Sequence, residues 1–394
     1  MNTPGDRKRI LKATILNPVT PDRVDRYNPG YLVLRGSVIE ELTSDDPRPR
    51  LRDADFRDLG DQRIVPGFVD AHVHLPQFAI MGVGTGELLS WLANYTYPEE
   101  SRFSDPEHAT AIATRFFDAL IANGTTTAAI YSSVHEEATD IAFSTAHAKG
   151  LRAFIGKVMM DRNSPPALLE PTDESVAVSL RLFEKWDGAD NGRLRYVFTP
   201  RFAGSCSMEL MKQVGRLASE RRAFVQTHLS ENVDEVAWIR QLFPEAASYT
   251  AIYETAGLLN ERSIMAHCIH LSSEEIALLA RHRAKVAFCP FSNRTLRSGT
   301  MPYAKLRDAG LTIGLGTDIA GGPSLSMVEQ IDQAVDAVGI PRSEALYLAT
   351  LGGAKVLGLQ DRIGSFEPGK DADFVVMESA AVREVYVRGK LVYG

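Results

Sequence analysis

The stretch IVPGFVDAHVH, residues 64–74, decides how the rest of this chain is interpreted. Its apolar residues predict a buried β-strand, which ends in two histidines one residue apart, His72 and His74. Side chains at positions i and i+2 of a strand face the same way, so both imidazoles can reach one ion. A divalent transition metal such as zinc suits this pair. Two such histidines without further ligands are more often hydrogen-bonded residues of the core. Whether they bind a metal therefore depends on residues elsewhere in the chain.

The composition of the 394 residues is that of a globular protein, with 44% apolar and 24% charged residues. The net charge of −7 and the scattered Lys and Arg residues give no basic surface for nucleic acid or an anionic membrane. No apolar run approaches the roughly 18 residues of a membrane span. The three cysteines form no Cys-x-x-Cys motif. We therefore expect a cytoplasmic protein that acts on a small molecule, without nucleic-acid or membrane partners, and whose metal ligands are histidines and carboxylates.

From residue 64 onward, short runs of apolar and β-branched residues alternate with segments of helical periodicity. The runs cover residues 64–71, 125–131, 152–159, 194–199, 223–227, 263–266, 285–288 and 311–316. This alternation is typical of parallel βαβ units, and eight such units predict a closed (β/α)8 barrel. A capping-box sequence at residues 272–275 predicts the start of one of the helices.

Both ends of the chain are rich in short β-type segments. These segments cover residues 10–16, 31–34 and 38–42, with a break at 28–30, and residues 372–377, 382–387 and 391–393. Neither end has enough strands for a stable sheet, so we expect the two to combine in one small sheet or sandwich beside the barrel. The predicted domains are residues 1–65 and 363–394 as the two parts of a β-sandwich, and residues 66–362 as the barrel.

Chemistry in barrels of this kind collects at the carboxyl ends of the strands. Polar residues follow the predicted strands there, namely His72, His74, Arg201, His228, Glu231, His267 and Asp318. Three imidazoles, on His72, His74 and His228, together with the Asp318 carboxylate, would hold one metal ion and leave a coordination position for water. His267 and Glu231 would then remain for proton transfer.

Each of these residues also has a structural explanation. His228 could be a hydrogen-bonded core histidine, Asp318 and Glu231 could serve helix N-termini, and Arg201 could pair with a structural acid. Separate explanations of this kind do not account for so many titratable groups at the ends of strands, so the metal site is favoured. The other histidines on helices or loops, His108, His147, His270 and His282, are expected at the surface.

Several motifs carry a resemblance to a known family. They are PGFVDAHVH at 66–74 followed by Gln77, TPRF at 199–202, HLSEN at 228–232, MAH at 265–267 and GLGTD at 314–318. Taken together, they resemble the amidohydrolase superfamily and, more narrowly, its guanine deaminase family. The His-x-His and Gly-Thr-Asp motifs mark only the superfamily, whereas the segments at 200–202 and 228–232, with Gln77, indicate the narrower family.

This resemblance implies a distorted (β/α)8 TIM barrel, of class α/β, with a small composite β-sandwich from the N- and C-terminal segments. It also implies a single zinc on His72, His74, His228 and Asp318, with iron or manganese as alternative metals. A homodimer is expected as well, although the segment between residues 377 and 384 is shorter than the resemblance suggests.

The implied reaction is the hydrolytic deamination of guanine to xanthine. Asp318 and His267 would accept and orient the proton of the attacking water, and Glu231 would donate to ring N3 and then to ammonia. The purine would be bound by Arg201 at O6, by Phe202 packing on the ring and by Gln77 at one edge, with His228 and Glu231 also bordering it. Two alternatives stay open: a related hydrolase acting on cytosine, an adenosine derivative or a triazine, and a metal-free interaction scaffold.

Overall fold

The computed structural model describes residues 8–84 and 86–394. Its strands are β1 (Lys8–Thr20), β2 (Arg23–Arg35), β3 (Val38–Thr43), β4 (Asp55–Pro66), β5 (Phe68–His74), β6 (Thr125–Tyr131), β7 (Arg152–Gly156), β8 (Val158–Met159), β9 (Leu194–Pro200), β10 (Phe224–Leu229), β11 (Ser263–His267), β12 (Lys285–Phe288), β13 (Thr312–Leu315), β14 (Phe374–Glu378), β15 (Ala381–Val387) and β16 (Lys390–Tyr393).

The helices connect the strands of the central part of the chain. They are α1 (Leu88–Trp91), α2 (Tyr97–Ser101), α3 (Pro106–Ala122), α4 (Glu136–Lys149), α5 (Thr172–Trp186), α6 (Ala189–Gly192), α7 (Met208–Arg221), α8 (Val233–Leu242), α9 (Tyr249–Thr255), α10 (Ser273–Arg281), α11 (Pro290–Thr295), α12 (Tyr303–Asp308), α13 (Met327–Val338), α14 (Arg342–Tyr347) and α15 (Gly353–Val356). A π-helical turn, Leu92–Thr96, joins α1 to α2. The predicted capping box is confirmed, because Ser272 and Glu275 bond reciprocally at the start of α10.

Eight parallel strands form the predicted barrel. They are hydrogen-bonded in the order β5, β6, β7, β9, β10, β11, β12 and β13, and the two-residue β8 pairs with β9. The N–H of Asp318, just after β13, donates to the carbonyl of His72 in β5 over 2.9 Å and so joins the last strand to the first. Nearly every residue of these strands is buried, as expected for parallel strands covered by helices.

The remaining seven strands form a second sheet, in the order β16, β15, β14, β4, β1, β2 and β3. The N- and C-terminal segments therefore combine, as the sequence predicts, and the pairing of β14 with β4 joins them. Two details were predicted wrongly. β2 continues through residues 28–30, and most of β4 was missed because its residues 55–63 are largely exposed and polar. The limits of the domains stay predictions.

Apolar side chains hold the two parts together. The largest cluster joins barrel strands to surrounding helices and to the seven-stranded sheet, and it includes Ile130 of β6, Phe116 of α3 and Val375 of β14. A separate cluster fills the seven-stranded sheet. No helix within residues 8–84 and 86–394 is long and apolar enough to cross a membrane.

The decisive stretch 64–74 is not one strand, contrary to the prediction. Residues 64–66 end β4 in the seven-stranded sheet, and β5 of the barrel begins at Phe68. Gly67 lies between them, and its N–H donates to the carbonyl of Asp373 over 2.9 Å. A Cβ atom on Gly67 would lie 2.2 Å from Oγ1 of Thr126. Hydrophobic periodicity did not reveal this crossing because both halves are apolar and buried.

Replacing Gly67 by Ala should therefore destabilise the fold by about 1–3 kcal/mol, the usual effect of overpacking a filled core. Thermal and denaturant unfolding of the purified variant would measure it. Because Thr126 supplies the clashing atoms, the double variant Gly67→Ala/Thr126→Ala should lose less stability than the two single changes added together. Additive losses would contradict the contact as the cause.

Candidate active site

Ring nitrogens of three histidines and one carboxylate converge at the ends of β5, β10 and β13. The Nε2 atom of His74 lies 3.2 Å from the Nε2 atoms of both His72 and His228. Oδ1 of Asp318 lies 3.2 Å from Nε2 of His72 and 3.4 Å from that of His74. Ligand atoms of a tetrahedral zinc site, with bonds of about 2.0–2.1 Å, are about 3.3–3.4 Å apart. The donor set and its spacing fit a metal ion.

The three imidazoles are in the state that a metal requires. Burial lowers the pKa of His72, lowers that of His74 to about 4 and lowers that of His228 well below its ordinary value. These rings are therefore neutral at neutral pH, and each has an unprotonated nitrogen to offer.

Hydrogen bonds orient His228 toward this group. Its Nδ1–H donates to the carbonyl of Arg201 over 2.7 Å, which leaves Nε2 as the unprotonated atom facing the other histidines. The hydroxyl of Tyr253 donates to the carbonyl of His228 over 2.7 Å and supports the end of β10.

Asp70 holds the first and last barrel strands together beside the histidines. Its carboxylate accepts from the N–H of Thr317 over 3.0 Å, from the Thr317 hydroxyl over 2.5 Å and from the N–H of His72 over 3.2 Å. These bonds place Asp318 next to His72. No role for Asp70 was predicted from the sequence, although this residue lies inside the stretch 64–74.

Glu231 and His267 lie next to the converging group, where the sequence placed them. Nε2 of His267 is 3.4 Å from Oε2 of Glu231 and 3.7 Å from Oδ2 of Asp318. The Nδ1–H of His267 donates to Oδ1 of Asn293 over 2.9 Å, so Nε2 is the ring nitrogen that faces Glu231 and Asp318.

Glu231 is buried in surroundings that favour its protonated form. Burial, followed by the negative charges of Asp318 and Glu235, raises the pKa of Glu231 well above its ordinary value. The hydroxyl of Ser298 donates to Oε1 of Glu231 over 3.2 Å. A carboxyl group that keeps its proton near neutral pH can act as a general acid.

One cavity connects these groups with the predicted substrate contacts. The lining comprises His74, Gln77, Leu88, Trp91, Leu92, Arg201, Phe202, His228, Glu231, Glu235, His267, Leu296, Asp318 and Gly321. All predicted site residues thus come together, except that His72 lies behind the lining and reaches the group through its ring nitrogen.

Arg201 and Gln77 share a partner that the sequence analysis missed. Arg201 donates from Nη1 to Oε2 of Glu100 over 2.5 Å, and Gln77 donates from Nε2 to Oε1 of the same carboxylate over 3.1 Å. In sequence, Glu100 follows Glu99 on a helix and has the pattern of an ordinary surface acid, so no local signal could have identified it.

The expectation that His108 and His270 lie at the surface was wrong. The side chain of His108 is only 12% exposed and contacts Glu99 over 2.8 Å. His270 donates from Nε2 to the carbonyl of Ser298 over 2.7 Å. Both contacts join residues from different segments of the chain, which helical periodicity alone does not reveal.

Known proteins resemble this chain over most of its length. The amidohydrolase family matches residues 63–392. A guanine deaminase of Escherichia coli is 43% identical over 331 residues, covering 82% of this chain and 75% of that protein. A guanine deaminase of Dictyostelium discoideum is 40% identical over 333 residues, covering 82% and 74% of the two chains.

Among solved structures, the guanine deaminase of C. acetobutylicum with guanine bound in its active site is similar in the whole fold. It superposes with a TM-score of 0.94 and 32% sequence identity, covering 98% of this chain and 100% of that one. The matched residues, the barrel and the convergent strand-end histidines agree, and the chain belongs to the amidohydrolase family.

Proposed function

We propose that the protein hydrolyses guanine to xanthine and ammonia, as a step of purine catabolism or salvage. The observation that carries this proposal is the single cavity in which the His and Asp group, Glu231 and Arg201 face one another. The similarity to guanine deaminases over more than four fifths of the chain supports the substrate.

The metal in this proposal is one zinc ion per chain, held by His72, His74, His228 and Asp318, with iron or manganese as alternatives. The neutral imidazoles and the 3.2 Å contacts between neighbouring donor atoms support this assignment. A bound divalent metal would supply a nucleophilic water at neutral pH by lowering the pKa of that water to about 7.

The proton transfers fall to Asp318, His267 and Glu231. Asp318 accepts a proton from the attacking water, and His267 orients that water through Nε2, the atom left free by the bond to Asn293. Attack at C2 pushes negative charge toward ring N3, and protonated Glu231 donates to that nitrogen. Glu231 then takes the proton of the new hydroxyl group at C2 and passes it to the amino group, so that C2 becomes a carbonyl as ammonia leaves. The water proton held by Asp318 returns to Glu231 and restores its protonated form.

Recognition of guanine is assigned to Arg201, Phe202 and Gln77. Arg201 donates to the O6 carbonyl, Phe202 packs on the ring, and Gln77 bonds one edge of the purine, with His228 and Glu231 beside C2 and N3. The guanidinium of Arg201 is already paired with a carboxylate, so its natural partner is an uncharged carbonyl. The homodimer and the cytoplasmic location stay predictions.

Incubating the purified protein with a panel of bases and nucleosides, and measuring ammonia and products, tests this function. Guanine should be converted to xanthine faster than cytosine, adenosine or a triazine reacts. Faster release of ammonia from cytosine or adenosine would leave only the family assignment standing.

Metal content provides a separate prediction. The purified protein should hold about one divalent ion per chain, because three imidazoles and one carboxylate leave one open position on a single ion. His228→Ala should lower both occupancy, by elemental analysis, and rate. His282→Ala is the matched control, since His282 bonds to Glu254 away from the cavity. If the parent protein contains no metal and strong chelators do not reduce its activity, the metal site is excluded.

A further inference from the structure

We infer that Glu100 is a positioning residue for substrate recognition, which sets the geometry of Arg201 and Gln77 without touching the purine. This inference rests on the proposed function. Glu100 itself does not line the cavity, whereas both of its partners do. Only 2% of Glu100 is exposed, so its carboxylate makes its contacts inside the fold.

Each carboxylate oxygen of Glu100 accepts a hydrogen bond from one of the two partners. Oε2 accepts from the guanidinium of Arg201, and Oε1 accepts from the amide of Gln77. Arg201 follows β9 and Gln77 follows β5, so these contacts come from separate parts of the barrel. Because one rigid carboxylate binds both Arg201 and Gln77, the side chain of Glu100 sets the distance between these two substrate contacts.

Glu100 also determines which way the Gln77 amide faces. A carboxylate can only accept a hydrogen bond and a peptide N–H can only donate one. The Gln77 nitrogen must therefore face Glu100, and its oxygen must face the N–H of Ala320, 3.0 Å away. These two hydrogen bonds exclude the flipped orientation of the Gln77 amide. Every substrate molecule therefore meets the amide nitrogen and oxygen of Gln77 in the same positions.

The charge of Glu100 matters as much as its shape. Arg201 is 2% exposed, and the negative charge of Glu100 counteracts the effect of burial and keeps the pKa of Arg201 above its ordinary value. The neighbouring Glu99 is a natural comparison. It is also buried, but it pairs with Arg102 and His108 outside the cavity.

The test is Glu100→Gln, which keeps the size but turns one acceptor into a donor. This donor must face either Arg201 or Gln77, both of which also donate, so one contact is lost. We expect KM for guanine to rise about 10- to 100-fold, the range for a lost charge-assisted hydrogen bond, with a much smaller change in kcat. The effect on 2-aminopurine, which has the 2-amino group but no O6, should be clearly smaller.

The control is Glu99→Gln, which should leave both substrates unaffected. An equal loss on guanine and 2-aminopurine, an unchanged KM for guanine, or a crystal structure of Glu100→Gln with Arg201 and Gln77 unmoved would each overturn the inference. If Glu100→Gln does not fold, Glu100→Asp should show the same selective rise in KM. Failure of the proposed function is distinct, because it appears in the parent protein as an absence of xanthine, and the crystal structure of the variant still decides the role of Glu100.

Discussion

Guanine should react about 10⁴- to 10⁵-fold faster than 2,6-diaminopurine, the discrimination reached by sites with a fully buried polar partner. Arg201 is 2% exposed, and in the proposed complex it donates to O6. 2,6-Diaminopurine carries the same amino leaving group at C2 but an amino group in place of O6, so a buried donor would face another donor and stay unpaired. Values of kcat/KM for both bases, from ammonia release by the parent protein, measure this ratio.

Arg201→Met should narrow that ratio by slowing guanine far more than 2,6-diaminopurine. Methionine fills a similar volume but offers no hydrogen-bond donor, so only the substrate with a carbonyl loses a partner. Arg195→Met is the matched control, because Arg195 lies on the same strand, β9, and pairs with Asp187 outside the cavity. Equal slowing of both bases by Arg201→Met would show that Arg201 is structural.

Glu231→Gln should reduce turnover by roughly 10²- to 10⁴-fold, the usual contribution of general acid-base catalysis. Glutamine keeps the shape and can still accept from Ser298, but it has no proton to exchange with N3 or with the departing amine. The metal ligands are untouched, so metal content should stay at the parent value. Steady-state rates and elemental analysis of the same preparation separate the two effects.

Glu329→Gln tests the alternative that Glu231 only serves a helix N-terminus. Glu329 is an acid in the first turn of α13, outside the cavity, and its replacement should not change the rate. A Glu231→Gln variant that also kept a rate within about threefold of the parent, far above the range for acid-base catalysis, would remove Glu231 from the mechanism.

The eight-stranded barrel and the set of strand-end residues could be predicted because both depend on local patterns. Short apolar runs predict strands, and the residue after each run lies at the same end of a parallel barrel. The strand-end pattern predicted that His228 and Asp318 lie beside His72, although His228 and Asp318 are 90 residues apart in the sequence. Their roles as ligands stay proposals, but their convergence is a property of the structure.

By itself, the sequence determined the fold class, the family resemblance and which residues face one another at the carboxyl ends of the strands. Only the tertiary structure decided the crossing at Gly67, the bonds of Asp70 to Thr317 and the link from Glu100 to Arg201. The last two contacts join residues 247 and 101 positions apart. Periodicity reports the environment of a residue within its own strand or helix, whereas hydrogen-bond partners at such separations depend on how the closed barrel brings distant segments together.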